Sequence, residues 1–380
     1  MMEALKRSSK AWVRSSQRGI FQEIFLELPL LEEDFDTLVD AYLKTTRHLD
    51  TLFAEKPYLA SYVRSLKLKR FLTQTDYDNK QVTVPEVVYT AAASLVRRLS
   101  NLSSLSFDYV FWEGLPPLLQ AALTEICAAS LTQFSASYFY IPTFAELVSL
   151  LSCMRSLKIL DVRVECDDWN VPSSLSSDTE PQRIQLSNLR LGFCRPFITW
   201  FQQDGCPFEV RNLNLLEIDS DETTEILQYL DISLKELKLH NTGPGGPNMS
   251  SAHLGCNPNL RRLSLISDDR QFDDSIAWIQ YLFEPLLNPD GNLLPLQHLT
   301  IVLFDRNPVR DPLVPRQWDQ WSTIDALLEK PEFASLQMVV FKLGYLHLPG
   351  DVSKVLSERL PFLEGSGKLV VQIVDVDEDD

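Results

Sequence analysis

Positive charge is what this sequence is short of. Its 35 lysines and arginines stand against 52 aspartates and glutamates, for a net charge of −17. The last six residues hold five acids, Asp375, Asp377, Glu378, Asp379 and Asp380, so the rest of the chain still carries −12. A body this acidic argues against a nucleic-acid duplex or an anionic membrane as main ligand, because both need basic surface.

Long apolar runs are also missing. No stretch approaches the ~18 consecutive apolar residues of a membrane span. Residues 1–14 hold no apolar run of the kind a signal peptide needs. The six cysteines form no C-x-x-C pair and no dense disulfide spacing. These absences predict an intracellular protein of a reducing compartment, cytoplasmic or nuclear.

Linear signatures of catalysis are absent too: no G-x-S-x-G, no H-E-x-x-H and no G-x-x-x-x-G-K. The glycine-rich stretch 243–246 lacks the lysine of a phosphate loop. His48, His240, His253, His298 and His347 are scattered, and no Cys or Ser nucleophile accompanies them. The expectation is a non-catalytic binding protein with no catalytic residue, cofactor or metal site.

What is present is a recurrent pattern. The stretch 256–265 reads Cys-Asn-Pro-Asn-Leu-Arg-Arg-Leu-Ser-Leu, which states L-x-x-L-x-L through Leu260, Leu263 and Leu265. The same six-residue pattern starts at Val63, Leu102, Leu131, Leu157, Leu186, Leu213, Leu234, Leu260, Leu296 and Leu336. All thirty of its key positions are apolar, and successive starts lie 21 to 40 residues apart. This is the signature of a leucine-rich repeat, in which each unit gives one short strand to a curved parallel sheet. Between the strands, helical spacing marks segments 87–99, 118–129, 144–154, 197–203, 224–230, 276–287, 324–328 and 352–360. Leu147, Leu150 and Leu151 show the i, i+3, i+4 stripe plainly. The fold class is α/β: a leucine-rich-repeat solenoid, or horseshoe, of about ten irregular repeats, parallel sheet inside and helices outside.

Three domains follow: a helical N-terminal cap at 1–56, the solenoid at 57–374, and a disordered acidic tail at 375–380. Within the cap, residues 36–52 have helical spacing, and an extended piece is expected at 25–28. Loops at 167–183, 241–251 and 305–316 look like insertions, rich in Ser, Asp, Pro or Gly. A last strand at 369–374 closes the sheet.

The repeats depart from the usual pattern at their ninth position, where Asn or Cys normally bonds the turn. Here Phe71, Val110, Phe139 and Glu165 fill the first four. Cys127, Cys153 and Cys256 recur four residues before a motif start, where a small side chain suits a tight turn from helix to strand.

Strand side chains alternate, so the residue inside each L-x-L points to the concave face. That row reads Lys67, Ser106, Ser135, Asp161, Arg190, Glu217, Lys238, Ser264, Thr300 and Val340. Asp161, Arg190, Glu217 and Lys238 alternate in sign and are candidates for protein binding; a self-neutralising solvated face is the other reading. His240 and His298 share that face. A second group, Tyr109, Trp112, Tyr138 and Tyr140, is expected as an exposed aromatic rim just past the strand ends, of the composition favoured at interface centres. Filling of irregular turns is the other reading there. Phe139, at the ninth position, is expected in the core.

The repeat style resembles the fungal F-box proteins with degenerate leucine-rich repeats. The residues that carry this are Arg97-Arg98-Leu99-Ser100-Asn101-Leu102-Ser103-Ser104-Leu105, Leu150-Leu151-Ser152-Cys153, and Leu59-Ala60-Ser61-Tyr62-Val63-Arg64-Ser65-Leu66. Residues 5–24 also look like the later part of an F-box, through Ser8, Ser9, Trp12, Arg18, Phe21 and Ile24. The resemblance implies a substrate-recognition subunit of a cullin–RING ubiquitin ligase. It also implies two partners: a target held by the solenoid and an adaptor held by the F-box. The family's F-box opens with a Leu-Pro-x-Glu helix, and this sequence begins after it. The adaptor is therefore expected as a partner only of an upstream-extended form, with Trp12, Phe21 and Ile24 serving here as a cap on the first repeat. A free-standing repeat scaffold with no ligase role is the alternative.

Overall fold

The computed structural model describes residues 17–28, 35–72, 84–172, 183–192, 194–218, 223–230, 234–241, 254, 257–267, 272–284, 287, 294–305, 319–345 and 351–374. The chain divides into two compact units, Met1–Leu186 with Gln203–Phe208, and Ser187–Gln202 with Glu209–Asp380.

In the first unit, β1 (Glu23–Glu27), β2 (Ser65–Phe71), β3 (Ser104–Phe111), β4 (Gln133–Tyr140) and β5 (Ile159–Glu165) lie in chain order. Each pairs in parallel with the next. The crossovers are the helices Phe35–Glu55, Pro57–Ala60, Glu86–Arg97, Pro117–Ala129 and Phe144–Ser152. Crossovers of constant hand between sequential parallel neighbours return every helix to the same face of the sheet. Local sequence explains where the helices begin. Thr143 accepts the Glu146 amide at 3.2 Å as an N-cap, and Pro57 and Pro117 stand at helix starts, where a missing N–H costs nothing. Asp50 ties the first long helix to Glu86–Arg97 by accepting from Ser94 Oγ (2.9 Å) and Arg98 Nε (3.0 Å). A separate short pair, β6 (Ile184–Gln185) with β8 (Phe208–Glu209), is fastened by the Ile184 amide donating to the Pro207 carbonyl at 2.6 Å.

The second unit repeats the plan. Its strands β7 (Asn188–Leu191), β9 (Leu215–Ile218), β10 (Glu236–Asn241), β11 (Arg262–Ser267), β12 (His298–Asp305), β13 (Met338–Tyr345) and β14 (Leu369–Ile373) are again parallel neighbours in chain order. Helices Cys194–Phe201, Thr223–Leu230, Phe272–Phe283, Trp321–Leu328, Val352–Arg359 and Pro361–Gly365 connect them.

The periodicity is visible in the backbone as well as in the side chains. At the start of most of the strands, two consecutive amides donate to one carbonyl of the preceding repeat. Ser103 and Ser104 share Arg64, Thr132 and Gln133 share Ser103, and Lys158 and Ile159 share Thr132. In the second unit Arg261 and Arg262 share Lys235, Gln297 and His298 share Arg261, and Gln337 and Met338 share Gln297. All thirty motif side chains, from Val63 to Phe341, are buried. The strands begin two residues into each motif because the first apolar position anchors the turn that leads in.

The ninth-position side chains Phe71, Val110 and Phe139 are buried, so apolar packing takes the place of the turn-bonding asparagine. Phe107 packs against Phe134 and Phe139 at ring-centre distances of 5.5 and 5.1 Å. In the second unit Trp321 meets Phe341 edge-on at 5.1 Å. Gly344 stands opposite Phe304 across β12 and β13, where a Cβ would come within 2.4 Å of the Phe304 ring. Asp325, buried in Trp321–Leu328, accepts the Phe362 and Leu363 amides at 2.8 and 3.1 Å, supplying acceptors to the first turn of Pro361–Gly365.

The extended piece expected at 25–28 is β1, at Glu23–Glu27, which pairs in register with β2 from Glu23↔Ser65 to Glu27↔Lys69; alternation of Ile24 and Leu26 buries one side of it as in the repeats. One expectation about the strands needs correction. The closing strand β14 does not bury one alternate face. Leu369, Val370 and Val371 are half-buried and Ile373 is 67% exposed, unlike β1 at the other end of the strand order, where Ile24 and Leu26 are buried. The N-terminal F-box-like residues through Gln17's predecessor, most of the three insertion loops, Cys256 and the acidic tail lie outside the described residues.

Candidate functional site

The face opposite the motif leucines carries the polar row. In the first unit Lys67, Ser106, Ser135 and Asp161 are direct register partners on successive strands. Lys67 pairs with Glu23 at 3.1 Å, and Ser135 Oγ donates to Asp161 Oδ2 at 3.2 Å. In the second unit Arg190, Glu217, Lys238, Ser264, Thr300 and Val340 are partners in turn. Of the four expected binding charges, the structure brings Arg190, Glu217 and Lys238 together within one unit; Asp161 belongs to the other.

Glu217 is the centre of that group. Its Oε1 lies 3.0 Å from Arg190 Nε and 2.9 Å from His240 Nε2, and its Oε2 lies 3.5 Å from Lys238 Nζ. An ionised carboxylate only accepts, so His240 Nε2 carries the proton it donates. The residue is 8% exposed. Burial opposes its ionisation, but the His240 hydrogen bond and the Arg190 and Lys238 charges outweigh it and hold the carboxyl down at about 2. His240 was not among the expected binding residues. Its signal was available: it follows Lys238 by two residues on one strand, and so shares its face.

The aromatic group is built differently. Arg70, Tyr109 and Tyr138 occupy the same place in three consecutive repeats, with φ of 62°, 54° and 49°. This is the left-handed region, sparsely populated by side chains of this size. Each is a bulge that pushes one side chain out of the ladder while Phe71, Val110 and Phe139 turn inward. Tyr109 and Tyr138 stack at 4.4 Å with planes 13° apart, close to the ~4.8 Å between strands. They are 39% and 55% exposed. Phe111 and Tyr140, in register two residues on, form a second stack at 4.8 Å and 22°.

Four aromatics were expected at this rim, and they part ways. Tyr109, Tyr138 and Tyr140 stand on it, within the strands rather than beyond their ends. Trp112 turns toward the core, 6.2 Å from Phe107 and 6.1 Å from Phe139. Phe111 takes its place. Tyr140 OH donates to Asp167 Oδ2. That hydrogen bond, then desolvation, then the charges of Asp167 and Glu113 push the phenol up to about 12.

Among the cysteines, Cys127 is buried in Pro117–Ala129, and burial pushes its thiol up to about 12, which removes its nucleophilic character at neutral pH. Cys153 sits at the C-cap of Phe144–Ser152 and donates weakly to the Ser149 carbonyl at 3.4 Å. Among the described residues, no group of three or more His, Cys, Asp and Glu is arranged to hold a metal ion, and no helix is long and apolar enough to cross a membrane. No family model matches the chain, and no curated protein matches it.

Proposed function

We propose that the chain is a protein-binding scaffold of the leucine-rich-repeat type, which presents side chains to its partner from the strand face rather than from the helices. One observation supports this above the others: the Tyr109–Tyr138 stack is held out to solvent by two consecutive backbone bulges. The bulges serve the fold by turning Phe71, Val110 and Phe139 inward, but that gain does not require large aromatic side chains at 109 and 138, and Arg70 takes the same place in the repeat before them. Exposed rigid aromatics are what the centre of a protein interface uses. Within this reading, the resemblance to F-box repeat proteins favours a substrate-recognition subunit of a ubiquitin ligase. A free-standing scaffold remains the alternative, and recovery of ubiquitin-ligase components with the protein from cells separates the two.

The test of the general reading is photo-crosslinking in cells that make the protein. A photoreactive amino acid is placed at Lys67 or Ser137 on the strand face, or at Thr90 or Glu125 on the exposed side of helices. Partner adducts are expected from the first pair. Adducts confined to the helix positions would overturn the reading.

A further inference from the structure

The rim around Tyr138 has a chemistry of its own, and it narrows the class of partner. The bulge that expels Tyr138 is not matched on β5: the register runs Ser137↔Arg163 and then Phe139↔Val164, so β4 has one residue more than its neighbour. Tyr138 therefore stacks on Tyr109 with one ring face and has no opposite residue on the β5 side. Its greater exposure, 55% against 39%, follows from that.

Negative charge surrounds the same edge. Glu165 is the register partner of Tyr140, and Asp167 accepts from its hydroxyl. Glu113, Glu165 and Asp167 are all exposed. The field they make is felt by two separate groups. Tyr140 is raised in part by Asp167 and Glu113; Cys166 is raised by burial first and then by Asp167, Glu146 and Asp168. The nearby cations are set back along the strands or already engaged. Lys69 lies 3.7 Å from Asp108, Arg70 lies 3.0 Å from Glu27, and Arg163 stands beside Ser137.

We propose that this rim docks an arginine-bearing, positively charged peptide segment of a partner protein, with a guanidinium laid on the open face of Tyr138 and its neighbours paired with Glu165 and Asp167. The proposal rests on the protein-binding reading above and specifies its partner. A tyrosine ring face attracts a cation, and a planar guanidinium stacks on it better than an ammonium does. The acids supply the second half of the recognition, which an aromatic surface alone would lack.

The test is fluorescence anisotropy of the full chain with three labelled peptides of equal length, alternating glycine with arginine, lysine or glutamate. The arginine peptide binds most tightly, the lysine peptide more weakly, and the glutamate peptide not at all. Tyr138→Ala weakens arginine-peptide binding by about tenfold, while Tyr138→Phe keeps it. The double variant Glu165→Gln with Asp167→Asn flattens the salt dependence. Thermal melts of each variant verify that the fold is retained, as expected at exposed positions. Arginine-peptide binding that is absent, or unchanged in Tyr138→Ala, overturns the proposal. So does tighter binding when Lys6, Arg7, Lys10 and Arg14 are all changed to Gln, since that would assign the rim to the chain's own basic segment. None of these failures would bear on which face the crosslinks of the previous subsection report.

Discussion

The two units are built from one repeat template and present opposite kinds of chemistry on their strand faces. In the first unit, backbone bulges force tyrosines outward and the neighbouring acids stay exposed. In the second, the row inside each L-x-L, with His240 beside it, draws Arg190, Lys238 and His240 in around a buried Glu217. The first arrangement leaves chemistry facing outward: exposed ring surface and exposed carboxylates. The second satisfies its charges internally, as expected of a group that stabilises the sheet. What a strand face can recognise is therefore set by its fill of non-motif positions, and the shared leucines say nothing about it.

The largest effect should be common to both units and would mark the limit of the comparison. Leu160 and Leu237 are each fully buried motif residues. Leu160→Asp and Leu237→Asp should each destabilise by several kcal/mol, because a carboxylate is left buried without a partner. Asp161→Ala, one position from Leu160 and on the opposite face, should cost far less. Chemical denaturation ranks the three; a costlier Asp161→Ala would put the strand register in error.

Next comes the charge cluster. Glu217→Gln leaves Arg190 and Lys238 around a neutral amide and should destabilise the second unit by about 3 kcal/mol. The pH dependence has the matching sign. Because the folded carboxyl titrates near 2 rather than the ordinary 4.5, its contribution is fully present above about 4.5 and fades as pH falls toward 2. Stability measured between pH 5 and pH 2 should fall less steeply in Glu217→Gln than in the wild type. Equal slopes would mean that Glu217 is not the centre of the group.

A smaller effect tests the bulges. At a φ of 49°, alanine keeps the strain at position 138 and glycine relieves it. Tyr138→Gly should be about 1 kcal/mol more stable than Tyr138→Ala. If alanine proves the more stable, the left-handed conformation is lost with the ring, and the bulge is a consequence of stacking rather than its cause. The smallest signal is spectroscopic: Asp167→Asn should bring the Tyr140 phenol down from about 12 toward 10 in an ultraviolet titration, with no change in the melt.

The order in which these features could be read from sequence follows their physical origin. The thirty buried positions were legible because burial imposes its own period, and the helix segments followed from theirs. The charged row was legible as far as strand alternation goes, which is why Arg190, Glu217 and Lys238 fell into place. That Glu217 rather than Arg190 would be the centre depends on side-chain reach across three strands, which spacing does not encode. Tyr138 was picked out for its residue type, but its exposure arises from an extra residue in β4 that β5 lacks, a relation between strands rather than within one. Trp112 turned inward because the bulge at Tyr109 shifts the alternation by one residue, and everything after it faces the other way.

Chains of repeats ordinarily come apart from their ends, since a terminal unit has a neighbour on one side only. The hold of Asp325 on Phe362 and Leu363 changes that for the last helix. Releasing Pro361–Gly365 would strand a buried carboxylate 37 residues earlier in the chain, in a helix of the preceding repeat. The tip and the repeat before it thus open together. Hydrogen exchange at Phe362 and Leu363 should proceed at the pace of Trp321–Leu328 rather than at the fast pace of a fraying terminus, and a protease would find its first cleavage site elsewhere.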